Sequence, residues 1–400
     1  MIINSLLDTD FYKITMSQFA WKYYPNVNVK YSFINRSKVK LAEFIHIPDL
    51  IEELDNVRNL KFTMDELNYL NNQKIFSKNY LNFLSNVNLP PVYVSGKDGE
   101  LIIETEGKWC EGILWETFIL SIVNEMYYKS YGQTPIGYLD NFHDNLVPKM
   151  DRIIANPFKF VEFGTRRRFS SEIQSSLLTI MDNCAELKDS NALIGTSNVY
   201  LAKYFGLKPI GTFAHEVPMV CAGLNDESLY TLKRSHNKML EKWYFMYGEE
   251  LSIALTDTFG TDFFFKDFTK EKAIQWKGFR QDSGDPIEFG YKTLKFYKDK
   301  GIDPKEKIIV FSDALNIDKI YEIEKAFKGK IQTIFGWGTN LTNDVGAKPI
   351  SIVVKAVEAN GRPLVKLSDN TAKALGDSKT IEKYKCAFGY DNDYSEPLYY

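Results

Sequence analysis

The chain has 400 residues, 44% hydrophobic and 25% charged, a globular composition with room for a barrel-sized domain and a smaller one. Its 49 basic and 52 acidic residues leave a net charge of −3, and an isoelectric point near 6.0 argues against a nucleic-acid surface or a polybasic membrane anchor. No run of ~18 apolar residues and no secretory leader pattern occurs, so a cytoplasmic chain with no membrane span is expected. Cys110, Cys184, Cys221 and Cys386 form no CxxC, and His46, His143, His215 and His236 show no ligand spacing, so neither a disulfide framework nor a transition-metal site is expected.

The first elements alternate in type. FYKITMSQFAWKYY reads as a helix that starts near Asp10 and stops before Pro25. NVKYSFINR alternates like a strand, and PPVYVSG and LIIETEG form a strand pair around a turn at Lys97-Asp98-Gly99. CEGILWETFILSIVNEMYYKSYG reads as one long buried helix. From residue 159 the grammar changes to short apolar strands: 159–163, 192–195, 209–213, 252–257, 277–281, 308–312, 331–335 and 349–357. Amphipathic helices at 171–187, 226–247, 287–300 and 316–327 lie between several of them. This alternation implies parallel pairing with right-handed crossovers, and a (β/α) barrel is expected, with a doubly wound sheet as its competitor.

Polar residues gather where these strands end. Such ends share one rim in a parallel barrel, the usual place for an active site. Arg166, Arg167 and Arg168 follow the 159–163 strand. Guanidinium forks suit carboxylates and phosphates, and cations at a helix start oppose its dipole unless an anion is near. Three consecutive side chains diverge, so only Arg166 is assigned to a ligand and the others stay open. FGWGTN (335–340) can cradle a phosphate with its backbone N–H groups, though G-x-G is often only a turn. In FRQDSGDP (279–286), a strand-end carboxylate such as Asp282 suits ribose hydroxyls or Mg²⁺ and Arg280 is a candidate beside it, whereas Asp285 before Pro286 reads in part as a helix cap. His215 lies past the 209–213 strand, where a strand-end carboxylate such as Asp257 or Asp313 could orient its ring; a satisfied structural histidine is the alternative. Together these groups indicate an enzyme for a phosphorylated, ribose-containing anion. A phosphosugar lyase or isomerase, and a nucleotide sensor without catalysis, are the competing classes.

The segments LLDTDFYKITM, VEFGTRRRFS, GTSNVYLAKYFGLKPIGTFAHE, TDTFGTDFF, RQDSGDP, FSDALN and FGWGTNLTND resemble, in order from residue 6 to 344, the nicotinate phosphoribosyltransferase family of type II phosphoribosyltransferases. The resemblance implies an irregular α/β barrel over 135–355 and a sandwich-like α/β domain built from 1–134 and 356–400. It also implies a homodimer with shared active sites. The implied reaction joins nicotinate and 5-phosphoribosyl 1-diphosphate into nicotinate mononucleotide and diphosphate, with ATP as co-substrate and Mg²⁺ as the expected metal. By the same resemblance, His215 would be transiently phosphorylated and Asp257 would orient it. Phe163 and Arg166 would hold nicotinate, and Asp10 and Tyr12 would arrive from the other subunit. Arg280 and Asp282 would contact the ribose and ring region, Asp313 the ribose or Mg²⁺, and Gly338 and Thr339 the 5′-phosphate. Ser197 stands where a nicotinamide-specific relative carries aspartate. Serine there removes a clash with a substrate carboxylate, so nicotinate is expected over nicotinamide.

Overall fold

The computed structural model describes residues 1–130 and 135–397; the expected boundary after residue 134 and the last residues of the chain lie outside these. The chain forms two compact units. The first comprises Met1–Gly211 and Trp337–Lys355, and the second Thr212–Gly336 and the segment from Ala356 onward.

In the first unit, the Phe11–Tyr23 helix buries its first ten residues, including Lys13. Its chain start is pinned by Asp10, which forms an antiparallel bridge with Asn198. Strands β1 (Asn28–Asn35), β2 (Val92–Lys97) and β3 (Glu100–Lys108) form an antiparallel sheet in the order β1-β3-β2. Lys97 pairs with Glu100 across a two-residue turn in which Asp98 and Gly99 both have positive φ, +53° and +82°. That is the hairpin turn whose twist matches the strands. The long helix expected from residue 110 is instead two, Trp109–Gly112 and Trp115–Ser130.

Two parallel strands complete this unit, β4 (Phe160–Glu162) and β5 (Leu193–Thr196). The Ser171–Asn183 and Ala185–Ser190 helices connect them. The stretch expected as a strand at 209–213 makes only one bridge, Thr196 with Pro209. Proline has no N–H to extend a ladder. The contact is close, because a Cβ at Gly195 would lie 2.3 Å from the Lys208 carbonyl oxygen, and the φ there is +155°.

In the second unit, β6 (Ile253–Leu255), β7 (Gly278–Gln281), β8 (Ile308–Phe311) and β9 (Gln332–Trp337, whose last residue belongs to the first unit) run parallel in the order β9-β8-β7-β6. The connecting segments include the Pro286–Asp299 and Ile317–Phe327 helices. Phe264, Phe268, Phe279 and Phe296 pack edge-to-face and stacked beneath the ladder. Asp285 accepts a bond from the Glu288 N–H at 2.7 Å, so it caps the helix that Pro286 opens.

The fold is therefore mixed α/β, with parallel and antiparallel pairing. The expected barrel is corrected, because among the described residues the parallel strands do not close into a ring. Two of the eight expected strands are missing from the parallel set. The 209–213 stretch contributes a bridge alone, and 349–357 supplies β10 (Ile352–Ala359), which joins the antiparallel sheet. No helix among the described residues is long and apolar enough to cross a membrane.

Candidate active-site clusters

In the first unit the candidates assemble around the turn after β4. Glu162, buried at the end of that strand, accepts bonds from Gly164 N (2.5 Å), Thr196 Oγ1 (2.6 Å) and Gln174 Nε2 (3.0 Å). Burial raises its pKa against these donors. The carbonyls of Thr165 and Arg166 are held by Ser121 and Asn124 of the Trp115–Ser130 helix. This anchoring presents Arg166, whose side chain stays 29% exposed.

Arg166 faces two carboxylates. Its Nε lies 3.1 Å from Asp10 Oδ2, and its Nη1 lies 3.7 Å from Glu116 Oε1. The guanidinium also sits 5.4 Å from the centre of the Tyr12 ring. Asp10 is buried and accepts bonds from Ser197 Oγ at 2.6 Å and Tyr12 Oη at 3.1 Å. Asp10, Tyr12, Arg166 and Ser197 thus meet within one chain, where the resemblance implied a second subunit for the first two.

Glu116 is a hub that sequence reasoning missed. Lys13 Nζ lies 2.6 Å away and Lys355 Nζ 3.8 Å away. Burial would raise the Glu116 pKa, but Lys13, Lys355 and Arg166 together hold it at about 2. Arg168 has a different job. It is buried and grips Asp8 with both terminal nitrogens at 2.7 Å, so it fastens the N-terminal segment.

The glycine loop packs against the same turn. Phe163 N donates to Trp337 O at 2.8 Å. A Cβ on Gly338 would lie 3.0 Å from Phe163 O, and one on Gly164 only 2.0 Å from Thr342 Oγ1. Glycine at both positions lets the backbones touch. Phe163, Arg166, Gly338 and Thr339 therefore belong to one packed substructure.

The second unit gathers the other candidates around His215. The ring is buried, with Nδ1 3.0 Å from Thr258 Oγ1 and Nε2 3.0 Å from Asp282 Oδ2. Asp282 stays ionised, because Arg280, His215 and Lys373 overcome the cost of its burial and hold its pKa well below the usual range. A carboxylate only accepts, so Nε2 carries the proton and Nδ1 accepts from the threonine hydroxyl. Burial, aided by the Lys366 charge, lowers the His215 pKa to about 4 against the pull of Asp257 and Asp282. The imidazole is neutral at ordinary pH.

The expected partner of the ring was Asp257. It lies 3.7 Å from Nε2, beyond hydrogen-bond distance, and its Oδ1 has no hydrogen-bond partner among the described residues. Its Oδ2 takes a 2.5 Å bond from Ser283 and faces Lys366 at 3.6 Å. Arg280 holds Asp282 Oδ1 at 2.8 Å and Ser312 Oγ at 2.9 Å. Lys373 bonds Asp313 Oδ1 at 2.5 Å and the Asp282 carbonyl at 2.8 Å. Thr258 and Ser283 lie in the polar clusters that follow the strands, whereas Lys366 and Lys373 were missed. The run Lys-Leu-Ser-Asp-Asn at 366–370 was the available signal, because it follows an apolar stretch as the other polar clusters do.

Asp313 does not fit as a lone Mg²⁺ ligand. A lysine ammonium occupies one of its oxygens, and burial raises its pKa. Among the described residues no three acidic, histidine or cysteine side chains are grouped as a metal cage.

Parallel α/β ladders whose ends carry paired cations and carboxylates, one pair flanking a neutral histidine, define an enzyme of anionic substrates. Known proteins narrow that class. The nicotinate phosphoribosyltransferase (NAPRTase) family matches residues 158–392, and the N-terminal domain of the same family matches residues 7–124. The solved nicotinate phosphoribosyltransferase from Vibrio cholerae is 34% identical, covering 98% of this chain and 95% of its own, with a TM-score of 0.90. The one from Porphyromonas gingivalis is 33% identical, covering 97% and 100%, with a TM-score of 0.88. The chain belongs to the nicotinate phosphoribosyltransferase family and is a phosphoribosyltransferase enzyme.

Proposed function

We propose that the chain transfers the phosphoribosyl group of 5-phosphoribosyl 1-diphosphate to nicotinate, the entry of free nicotinate into NAD synthesis. The pyridine nitrogen forms a bond to the anomeric carbon with its lone pair. The bond from that carbon to diphosphate breaks, and diphosphate leaves with the electrons. The attacking nitrogen bears no proton, so the step needs no general base. Phe163 and Arg166 hold nicotinate by stacking and by charge. Arg280 and Asp282 contact the ribose and ring region, Asp313 the ribose, and Gly338 and Thr339 the 5′-phosphate. Mg²⁺ is expected to arrive on the diphosphate, and no role for it is assigned to Asp313.

ATP is the second substrate of this reading. His215 attacks its γ-phosphoryl group, a nitrogen–phosphorus bond forms and ADP leaves. The observation that carries this step is the neutral His215, with its pKa lowered to about 4 between Thr258 and Asp282. A neutral imidazole has a lone pair to give, and Asp282 and Asp257 balance the charge that develops on the ring. Hydrolysis of the phosphohistidine then drives the equilibrium towards product.

One observation favours a second substrate. Serine at 197 adds no charge, yet the Asp10 carboxylate stands 2.6 Å from its hydroxyl and could accept an amide N–H of nicotinamide. Mononucleotide formation from nicotinate and from nicotinamide, each with and without ATP, tests both readings. Nicotinate is expected to be preferred, with product formation stimulated by ATP. His215→Ala is expected to abolish that stimulation and to leave slow synthesis. Full ATP coupling in this variant would overturn the phosphohistidine step.

A further inference from the structure

Lys149 lies on the Pro135–Ala155 helix, in a sequence context that marks it for nothing. Its side chain is only 11% exposed. The ammonium donates to the Asn340 carbonyl at 2.5 Å and to Asp344 Oδ2 at 2.6 Å. It also sits 5.8 Å from the centre of the Trp337 ring. One turn earlier on the same helix, Asn145 Nδ2 donates to the Asp344 carbonyl at 3.1 Å. Lys149 therefore ties Asn340, at the end of the glycine loop, to Asp344 beyond it and lies against Trp337 within the loop.

The loop needs such a fastener. The helix that begins at Thr339 has four residues, and its cap Gly338 makes no side-chain capping bond. The other side of the loop is already fixed, with Phe163 N on Trp337 O and Asn343 Nδ2 on Arg167 O. A third contact, Phe169 N on Thr342 O at 3.0 Å, completes that side. Lys149 closes the opposite side with charge-assisted bonds, which are shorter and stronger than neutral ones.

We propose that Lys149 is a positioning residue for the phosphoribosyl donor, holding the Gly338–Thr339 backbone in the shape that receives the donor's 5′-phosphate. This rests on the assignment of that loop to the phosphate. Lys149 is assigned to the loop and not to the phosphate, because two of its three N–H donors hold Asn340 and Asp344 and its ammonium lies by the Trp337 ring. Loosening this side of the loop weakens binding of the donor more than that of nicotinate, because Phe163 keeps its bond to the Trp337 carbonyl and Arg166 its anchor on Asn124.

Steady-state kinetics of full-length variants test this, with each substrate varied in turn. Lys149→Met is expected to raise the KM for 5-phosphoribosyl 1-diphosphate by about tenfold, the effect of losing a charge-assisted hydrogen bond. The KM for nicotinate should stay within about twofold of wild type on the same scale. Lys149→Arg should recover part of the loss. Asp344→Asn keeps the size of the side chain and removes one charge of the pair, so it should give an intermediate rise if Lys149→Met fails to fold. A donor KM unchanged in Lys149→Met or Asp344→Asn, while Thr339→Ala raises it, overturns the proposal. Equal rises for both substrates also overturn it, because they mark a general loss of structure. If Thr339→Ala leaves the donor KM unchanged, the loop is not the phosphate site and the underlying assignment falls first.

Discussion

Lys13 and Glu116 form an ion pair at 2.6 Å with both side chains buried. His215, Arg280 and Asp282 follow strands or their equivalents, and the structure brings all three together. Lys13 lies in FYKITM and Glu116 in ILWETFIL, surrounded by residues that are buried. A buried charge must be paired, so an isolated Lys and an isolated Glu in apolar context could have been sought as partners. The partner itself was not legible, since 103 positions separate them and no local rule joins them. The pairing has a testable cost. Glu116→Gln leaves Lys13, Lys355 and Arg166 without their shared anion, and truncating one member of a buried ion pair costs about 3–5 kcal/mol. A fall in the denaturant midpoint is expected, and an unchanged midpoint would show that the cluster is relaxed by water. His215 offers a second test at this scale. Its folded pKa of about 4 lies below the ordinary 6.5, so the folded ring binds its proton later than the unfolded one. The stability tied to the neutral ring is full above pH 6.5 and is lost progressively as pH falls from 6.5 towards 4. Phosphohistidine formation should accordingly persist at pH 5.5, measured by quenching into base after incubation with ATP. Lys366→Met removes a cation that depresses this pKa, so its acidic limb should move upward. A wild-type limb near pH 6.5 would contradict the burial of the ring.

At the scale of elements, turns and caps were legible because they depend on a few local residues. The Asp98-Gly99 hairpin, the Asp285–Pro286 helix start and the strands β1, β7 and β8 all follow local chemistry. Closure was not legible. PIGTF has the apolar pattern of a strand, but it begins with a proline and makes a single bridge. The stretch 349–357 is equally apolar, and its pattern does not reveal that it leaves the parallel strands for the sheet of β1, β2 and β3. Where two strands approach closely, glycine records it. A Cβ on Gly278 would lie 1.9 Å from the Ile308 carbonyl oxygen on the neighbouring strand. That oxygen cannot swing away as a side-chain tip could, because it belongs to the β7–β8 ladder. Gly278→Ala should therefore destabilise the chain by roughly 1–3 kcal/mol, the usual cost of overpacking. Asp285→Ala is the milder counterpart and should cost about 1 kcal/mol as a lost cap. Thermal melting distinguishes them, and a silent Gly278→Ala would mean that β7 and β8 separate easily.

Across the whole molecule, the net charge of −3 conceals local balance. Arg280, Lys366 and Lys373 stand among Asp257, Asp282 and Asp313, and Arg166, Lys13 and Lys355 stand among Asp10 and Glu116. The first cluster lies in the second unit and the other in the first unit. The homodimer with shared sites, implied by the family resemblance, would bring Asp10 and Tyr12 of one subunit to the site that holds Arg166 and His215 of its partner. Complementation between inactive variants tests this. When Asp10→Asn and His215→Ala chains are mixed equally and allowed to exchange, half of the dimers carry one of each. In a shared arrangement, one of their two sites holds both substitutions and the other holds neither. Activity should return to about a quarter of wild type, as two-fold symmetry requires. Unshared sites would each keep one substitution, and no activity would return. Asp10 sharpens the test. Its carboxylate lies 3.1 Å from Arg166 of its own chain, so Asp10 and Arg166 travel in the same unit. Asp10→Asn and Arg166→Ala should therefore fail to complement each other where this contact within one chain is the working arrangement. Recovery in the Asp10 and Arg166 mixture would mean that Asp10 serves the partner's site, as the resemblance implied, and that its contact with Arg166 in one chain is not the working arrangement.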